Sequence, residues 1–330
     1  MKNETPKDLI GQTVTVLAHL SDPHLPLPTG IPPLALLNKR LLGLLSWHSR
    51  RYRLHRPETL DKLVADLLDR TPDHIMVTGD LTNLGLDVEY RRARAWLDSL
   101  GGPERVTVIP GNHEALVSGA WEQGAAHWQP YWQGDAAAET DVVHSFPTLR
   151  RRGGIALIAL SSAIASPPGL AVGALGRAQI DRLVPILRQT RQENLFRVLL
   201  IHHPPIDGTV RHRKRLRDGA DLRALLEREG IELVLHGHSH KSHHQVLQTR
   251  DGPAPVIGVP SASAMHLESA AYHLYEITPT NHGWKIALTV RRLGAADHME
   301  TSQSITLGID RAHAMPEAAR KTPKISPHSV

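Results

Sequence analysis

The 330-residue chain contains no cysteine. That excludes a disulfide framework, thiolate metal sites and a cysteine nucleophile, and it agrees with a reducing compartment. Aromatic residues are scarce at 4%, and Phe146 and Phe196 are the two phenylalanines. No apolar run reaches the length needed to cross a bilayer. Val14–Leu20 is too short for a secretory-signal core and carries His19. The expectation is a soluble, cytoplasmic protein. Acidic residues are missing from Leu25 to Pro57, while Lys39, Arg40, Arg50, Arg51, Arg53 and Arg56 lie within that stretch. A second basic run is Arg211, Arg213, Lys214, Arg215 and Arg217. Both runs suit either a solvated loop surface or the attraction of an anionic substrate or surface. The net charge of +5 is mild by comparison.

What is present is an alternation of apolar runs and helical patterns. Val14–Leu20, His74–Thr78, Arg105–Ile109, Ile155–Leu160, Phe196–Ile201 and Leu233–Leu235 read as strands. Glu58–Asp69, Asp87–Leu100, Arg177–Arg188 and Asp221–Glu229 have helical spacing. Such alternation argues for α/β layers, and continuous apolar strands argue for sheets covered on both faces. Pro255–Val259, Ala271–Ile277 and Trp284–Val290 read as consecutive strands, with Asn281-His282-Gly283 as a turn. Ala115–Phe146 has no clear period and reads as a loop or short-helix excursion. One domain is expected over residues 12–295, with an apolar and basic insertion at 31–56. A polar, disordered tail is expected over 296–330.

Five short segments follow the apolar runs. They are Asp22-Pro23-His24, Gly79-Asp80-Leu81-Thr82-Asn83, Gly111-Asn112-His113-Glu114, His202-His203-Pro204-Pro205 and Gly237-His238-Ser239-His240. Each offers oxygen or imidazole groups, the donors that hard and borderline metal ions prefer. Two ions about 3.5–4 Å apart clamp a phosphoryl group, and they need a carboxylate able to bridge them. The glycines suit sharp turns at strand ends, where backbone approaches metal or phosphate.

Together the segments resemble the calcineurin-like metallophosphoesterase superfamily, with its pattern D-x-H, G-D-x-x-[ND], G-N-H-[DE], H and G-H-x-H. The resemblance spans roughly Val14 to His240. It implies a four-layer αββα sandwich of two mixed sheets flanked by helices, with a dinuclear metal site at the strand ends. It further implies that Asp22, His24 and His240 hold one metal, that Asp80 bridges both, and that Asn112, His202 and His238 complete the second. Iron and manganese are favoured and zinc is admitted. His113 is then no ligand but a proton donor or stabiliser beside the leaving oxygen, and Glu114 orients it. A metal-bridging hydroxide is the nucleophile implied. His203 reads as structural, and Asn83 as a turn or helix cap. His236, His243 and His244 read as surface or supporting residues, and His266 as a residue that could line the pocket.

Ser21–Leu25, Thr78–Leu81 and Ile201–Pro205 resemble the bacterial branch that includes class III cyclic-nucleotide phosphodiesterases. That branch carries G-N-H-D where this chain has Gly111-Asn112-His113-Glu114. A phosphodiesterase acting on a small phosphoester is expected, nucleotide or lipid-linked. Between Ile31 and Arg56, the apolar residues Leu34, Leu36, Leu37, Leu41, Leu42, Leu44, Leu45 and Trp47 lead into a basic cluster. This segment resembles in character the cap of UDP-2,3-diacylglucosamine pyrophosphatases. It could serve as a lid, a peripheral membrane contact, a dimer contact or part of the chain's own core. A lipid-linked pyrophosphate hydrolase and a nuclease therefore remain as alternatives.

Overall fold

The computed structural model describes residues 14–136, 145–265 and 268–310. Within them, twelve strands follow one another along the chain. They are β1 (Thr15–Leu20), β2 (His74–Val77), β3 (Val106–Val108), β4 (Thr148–Arg152), β5 (Ile155–Ala159) and β6 (Phe196–Ile201). Then come β7 (Leu233–His236), β8 (His243–Thr249), β9 (Gly252–Gly258), β10 (Ala271–Thr280), β11 (Gly283–Leu293) and β12 (Met299–Asp310). They form two six-stranded sheets, ordered β12-β11-β10-β1-β2-β3 and β4-β5-β6-β7-β9-β8. Both sheets are mixed. β1, β2 and β3 run parallel in the first, and β5, β6, β7 and β9 run parallel in the second.

Alternate side chains of the central strands explain the layers. Ile155, Leu157, Val198, Leu200, Leu233 and Leu235 join the core that also holds Leu17, Ile75 and Val77 of the first sheet. Ile158, Leu199, Ile201 and Val234 point the other way, into a second cluster with Leu183, Leu187, Leu222 and Leu225. Those last four come from helices Arg177–Gln192 and Gly219–Glu229. On the first sheet, helix Pro57–Asp69 buries Leu60, Leu63 and Leu67 and packs on β10, β11 and β12. The fold is therefore an α/β sandwich of two mixed sheets with flanking helices. Each fully buried leucine contributes about 1.5–3 kcal/mol by leaving water.

Two expectations need correction. The disordered tail expected over 296–330 does not hold for Met299–Asp310, which is the strand β12 and pairs with β11 along its length. It is an edge strand that is mostly exposed, so its sequence stays polar. The remainder of that expected tail, 311–330, lies outside the described residues, as do residues 12–13 of the expected domain and His266. The excursion over Ala115–Phe146 contains a full helix, Ala120–Trp132. Trp121, Trp128 and Trp132 are buried in it alongside Ala120, Gly124 and Ala125, opposite exposed Glu122 and Gln123, and the small residues on the buried side weaken the apolar period.

The 31–56 insertion is a chain of short turns. A 3-10 turn (Pro33–Leu36) leads to a helix (Lys39–Ser46), a π-helical turn (Trp47–Arg51) and a helical turn (Tyr52–Leu54). Its leucines divide. Leu36 and Leu44 pack against Leu84, Leu86 and Leu116, whereas Leu34, Leu37, Leu41, Leu42 and Leu45 are exposed. Lys39 Nζ donates to Ser166 O at 2.8 Å, and Arg40 donates to Leu84 O and Gly85 O at 2.9 and 2.7 Å.

Candidate metal centre

Parallel strands put the five segments at one edge. Asp22 and His24 follow β1, Asp80 follows β2 and Asn112 follows β3, while His202 follows β6 and His238 and His240 follow β7. The two sheets meet there. His238 N donates to Asp22 Oδ2 at 3.0 Å, and His202 Nδ1 donates to Thr78 O at 2.6 Å. Asp22, His24, Asp80, His238 and His240 all have left-handed backbone, with φ between 40° and 65°. That conformation costs non-glycine residues about 1–3 kcal/mol each, and such strain clusters at functional sites. Tight loops replace what would otherwise be smooth strand ends.

The side chains fall into two overlapping groups, Asp22/His24/Asp80/His240 and Asp80/His202/His238, each with its donor atoms within 4.8 Å of one another. Asp80 belongs to both. His24 Nε2 lies 3.4 Å from His240 Nε2 and 3.9 Å from Asp80 Oδ2. His202 Nε2 lies 3.4 Å from both Asp80 Oδ2 and Asn112 Oδ1. Asp22 Oδ1 makes no well-formed hydrogen bond, although His240 Nε2 is only 3.1 Å away. Backbone carbonyls fix which imidazole nitrogens face inward. Nδ1 of His202 donates to Thr78 O, leaving Nε2. Nε2 of His238 donates to Lys214 O at 3.1 Å, leaving Nδ1. Such outer contacts orient ligands and select tautomers.

Glu114 does not hold His113. Its buried carboxylate instead accepts from Asp80 N at 2.9 Å, Gly111 N at 2.7 Å, Thr82 N at 2.8 Å and Thr82 Oγ1 at 3.0 Å. It thereby ties the β2 loop to the β3 loop. His113 is oriented by Asn83, whose carbonyl accepts from Nδ1 at 2.7 Å, and its backbone N–H donates to Asp80 Oδ1 at 2.9 Å. Asn83 does not cap the following helix, whose N-cap is Leu86, and its side-chain amide donates to Leu25 O at 2.7 Å. His203 accepts from or donates to Ser162 Oγ at 2.8 Å. The glycines allow the close approach. A Cβ on Gly79 would stand 2.6 Å from Gly111 N, and one on Gly111 would stand 2.6 Å from Asp80 N.

The electrostatics call for cations. Burial opposes ionisation of Asp80, yet His202 and His113 hold its carboxyl well below the usual range. His202 is pushed up to about 9, because Asp80 and Asp22 outweigh the burial that works against its charge. Glu114 is raised to about 7 by burial and by Asp80, against the pull of its N–H donors. The guanidinium of Arg51 reaches in from the insertion, with Nη2 3.1 Å from His24 Nε2. A protonated imidazole and a guanidinium therefore stand against carboxylates in a buried cluster otherwise made of lone-pair donors. Two carboxylates, an amide oxygen and four imidazoles are the donor set that a pair of metal ions takes. An orphaned carboxylate oxygen and a cation already drawn to the cluster fit the same group.

Residues 15–242 match the sequence model of the calcineurin-like phosphoesterase family, more than half of the chain. The chain belongs to that family. This phosphoesterase is 28% identical over 225 residues to a "probable cyclic nucleotide phosphodiesterase" of Synechococcus sp., covering 65% of this chain and 75% of that protein. Its fold is similar to a dimetal phosphatase of Danio rerio, with TM-score 0.57 at 13% identity over 91% of this chain and 99% of that one. It is also similar to a purple acid phosphatase from yellow lupin (Lupinus luteus), with TM-score 0.53 at 13% identity, covering 90% of this chain and 54% of that one. The protein is accordingly a phosphoric ester hydrolase of a dinuclear-metal family.

Beside the two donor groups lies a cleft of about 440 Å³. Asp80, Asn112, His113, His238 and His240 line its floor. Arg51 and His55 of the insertion and Lys214 of the second basic run line its walls. The basic runs thus divide. Arg51 and Lys214 face the cleft, whereas Arg53, Arg56, Arg211 and Arg213 are exposed. Sequence reasoning missed His55, since a lone histidine after a basic cluster carries no local signal. Its ring is buried, and burial together with His240 lowers it to about 2, so it is neutral.

Proposed function

We propose that this phosphoesterase hydrolyses phosphodiesters at a two-metal centre. The observation that carries the reading is the complete donor set around a shared carboxylate, with a separate imidazole, His113, on the same cleft. Likeness to a probable cyclic nucleotide phosphodiesterase supports a diester rather than a monoester. Asp22, His24, Asp80 and His240 would hold one ion, and Asp80, Asn112, His202 and His238 the other. Bound there, the ions supply Lewis acidity toward a phosphoryl oxygen and make a coordinated water acidic enough to act as nucleophile. Iron and manganese suit the mixed carboxylate and imidazole donors, and zinc also fits.

The chain's own groups do the rest. Arg51 and Lys214 offer positive charge to the non-bridging oxygens of an anionic ester. His113 keeps Nδ1 committed to Asn83 O, so Nε2 is the nitrogen left to meet the leaving oxygen. Burial and Arg51 lower His113 to about 4, so the resting imidazole is neutral. An arriving phosphate anion offsets Arg51 and raises that proton affinity, which turns His113 into a donor when substrate is present. Glu114 acts through the backbone of Asp80 and is a positioning residue.

A second reading is favoured by the exposed leucines of the insertion. Leu34 and Leu37 are 80% and 79% exposed, next to a segment whose basic residues include Arg53. That pattern suits a peripheral contact with an anionic lipid surface and a lipid-linked pyrophosphate substrate. Among the described residues no helix is long and apolar enough to cross a membrane. One panel separates the readings: cyclic AMP, bis(p-nitrophenyl) phosphate, a phosphomonoester and a lipid-linked pyrophosphate, each with added manganese. Preference for the diesters supports the first reading. Turnover of the pyrophosphate alone replaces it with the second.

A further inference from the structure

His55 stands where no family motif places a histidine. It comes from the end of the insertion, and every neighbour fixes it. An antiparallel bridge joins His55 to Ala264, His55 N donates to Arg51 O at 2.9 Å, and Arg56 N donates to Ser263 O at 3.1 Å. Trp47 stacks on its ring at 6.2 Å between centroids. The ring is 4.5 Å from that of His24 and 5.6 Å from that of His240. His24, His55 and His240 form a third donor group, each with one nitrogen within 4.8 Å of the others, and it shares His24 and His240 with the Asp22/His24/Asp80/His240 group. Nδ1 of His55 is engaged by Ser263 Oγ at 2.8 Å. With Nδ1 so engaged, Nε2 is the nitrogen available to a metal ion, and a ring held by a hydrogen bond on one nitrogen is the usual state of a metal-ligating histidine.

We infer that His55 is an additional metal ligand, supplied by the insertion to the position held by Asp22, His24, Asp80 and His240. The inference rests on the two-metal reading of the site, but not on which ester is cleaved. That position then has three imidazoles, against two at the position of Asn112, His202 and His238. An imidazole-rich position favours borderline ions such as zinc and ferrous iron over manganese or magnesium. A ligand on the insertion also ties metal loading to the order of the segment over the cleft. Lys39, Arg40, Arg51 and the carbonyl of Leu54, which accepts from Met265 N, are among its other polar anchors to the body.

The test is metal binding without substrate. The full chain is stripped of metal and titrated with zinc and with manganese by calorimetry, as wild type, His55→Ala, His55→Gln and Ser263→Ala. Removing an outer contact of a ligand costs about 10–100-fold in metal affinity, so His55→Ala should weaken one of the two sites by at least about tenfold and spare the other. Ser263→Ala should weaken the same site less. Pulsed electron paramagnetic resonance of the manganese form should lose one directly bound histidine nitrogen in His55→Ala. Metal should slow tryptic cleavage between Lys39 and Arg53 in wild type but not in that variant. Should His55→Ala fail to fold, His55→Gln carries the same expectations. Unchanged affinities with unchanged nitrogen couplings overturn the inference while leaving the two-metal reading intact. A wild type that binds no metal overturns both.

Discussion

The carboxylate of Glu114 accepts a 2.9 Å hydrogen bond from the backbone N–H of Asp80, across two different loops. The same carboxylate serves Gly111 N and Thr82 N. Glu114→Ala leaves three buried N–H groups without an acceptor, each costing ~1–3 kcal/mol. A fall in melting temperature on the order of 10 °C follows, together with weaker metal binding. Calorimetric unfolding with metal-free and metal-loaded protein checks both. Glu114→Asp should recover little, because the shorter side chain cannot span the loops.

Gly111→Ala should mimic that loss without touching a single charge. The new methyl group would lie against Asp80, 2.6 Å from its backbone nitrogen. The loop must retreat, and Asp80 with it. Metal content after desalting reports the result, which should fall for Gly111→Ala and stay normal for Gly153→Ala, where nothing lies within 4 Å of the added carbon. The second substitution still pays a backbone cost, since Gly153 has φ +56°.

His113→Ala should lower turnover by about 10²–10⁴-fold, with metal content unchanged. The loss should grow as the leaving group becomes more basic. A series of aryl methyl phosphates from p-nitrophenol to phenol measures this. A loss independent of the leaving group would remove His113 from proton donation and leave it a role in binding.

Glu229 gives a pH prediction remote from the site. Its carboxylate is buried against the largely exposed guanidinium groups of Arg188 and Arg228. Arg188 above all holds it down to about 2, below the usual glutamate range near 4.5. A depressed carboxylate contributes stability that is present above pH 4.5 and is lost as pH falls toward 2. Glu229→Gln should therefore be less stable at neutral pH and should unfold with a flatter acid limb between those values. Urea melts at stepped pH values test it, and parallel limbs would contradict it.

The exposed leucines of the insertion predict surface behaviour. Leu34→Asp/Leu41→Asp should leave the fold intact, since both side chains face solvent. It should reduce pelleting with anionic liposomes if the segment touches lipid. Leu44 is the wrong residue for this test because it packs against Leu84, Leu86 and Leu116.

The sequence discloses most where burial is two-sided. Ile155–Ala159 and Phe196–Ile201 are continuous apolar runs because one face meets the other sheet and the opposite face meets helices. The candidate ligands are legible because each turn compresses its donors into three to five residues, with a glycine in three of the five segments. Two edge strands are not: β8 (His243–Thr249) and β12 each pair with a single neighbour in their sheet and bury only one residue apiece. The work of Glu114 was hidden too, because its partners Asp80 and Thr82 are more than thirty residues away. So was His55, whose relation to His24 and His240 exists only after the insertion folds back.

Asp80 is the carboxylate shared by both donor groups, and the account stands or falls on it. Wild type and Asp80→Asn are each reconstituted with manganese, desalted, and compared for bound metal and for hydrolysis of bis(p-nitrophenyl) phosphate. The account predicts two ions per chain and turnover in wild type, with both lost together in Asp80→Asn. An Asp80→Asn protein that keeps both ions and wild-type turnover would contradict it.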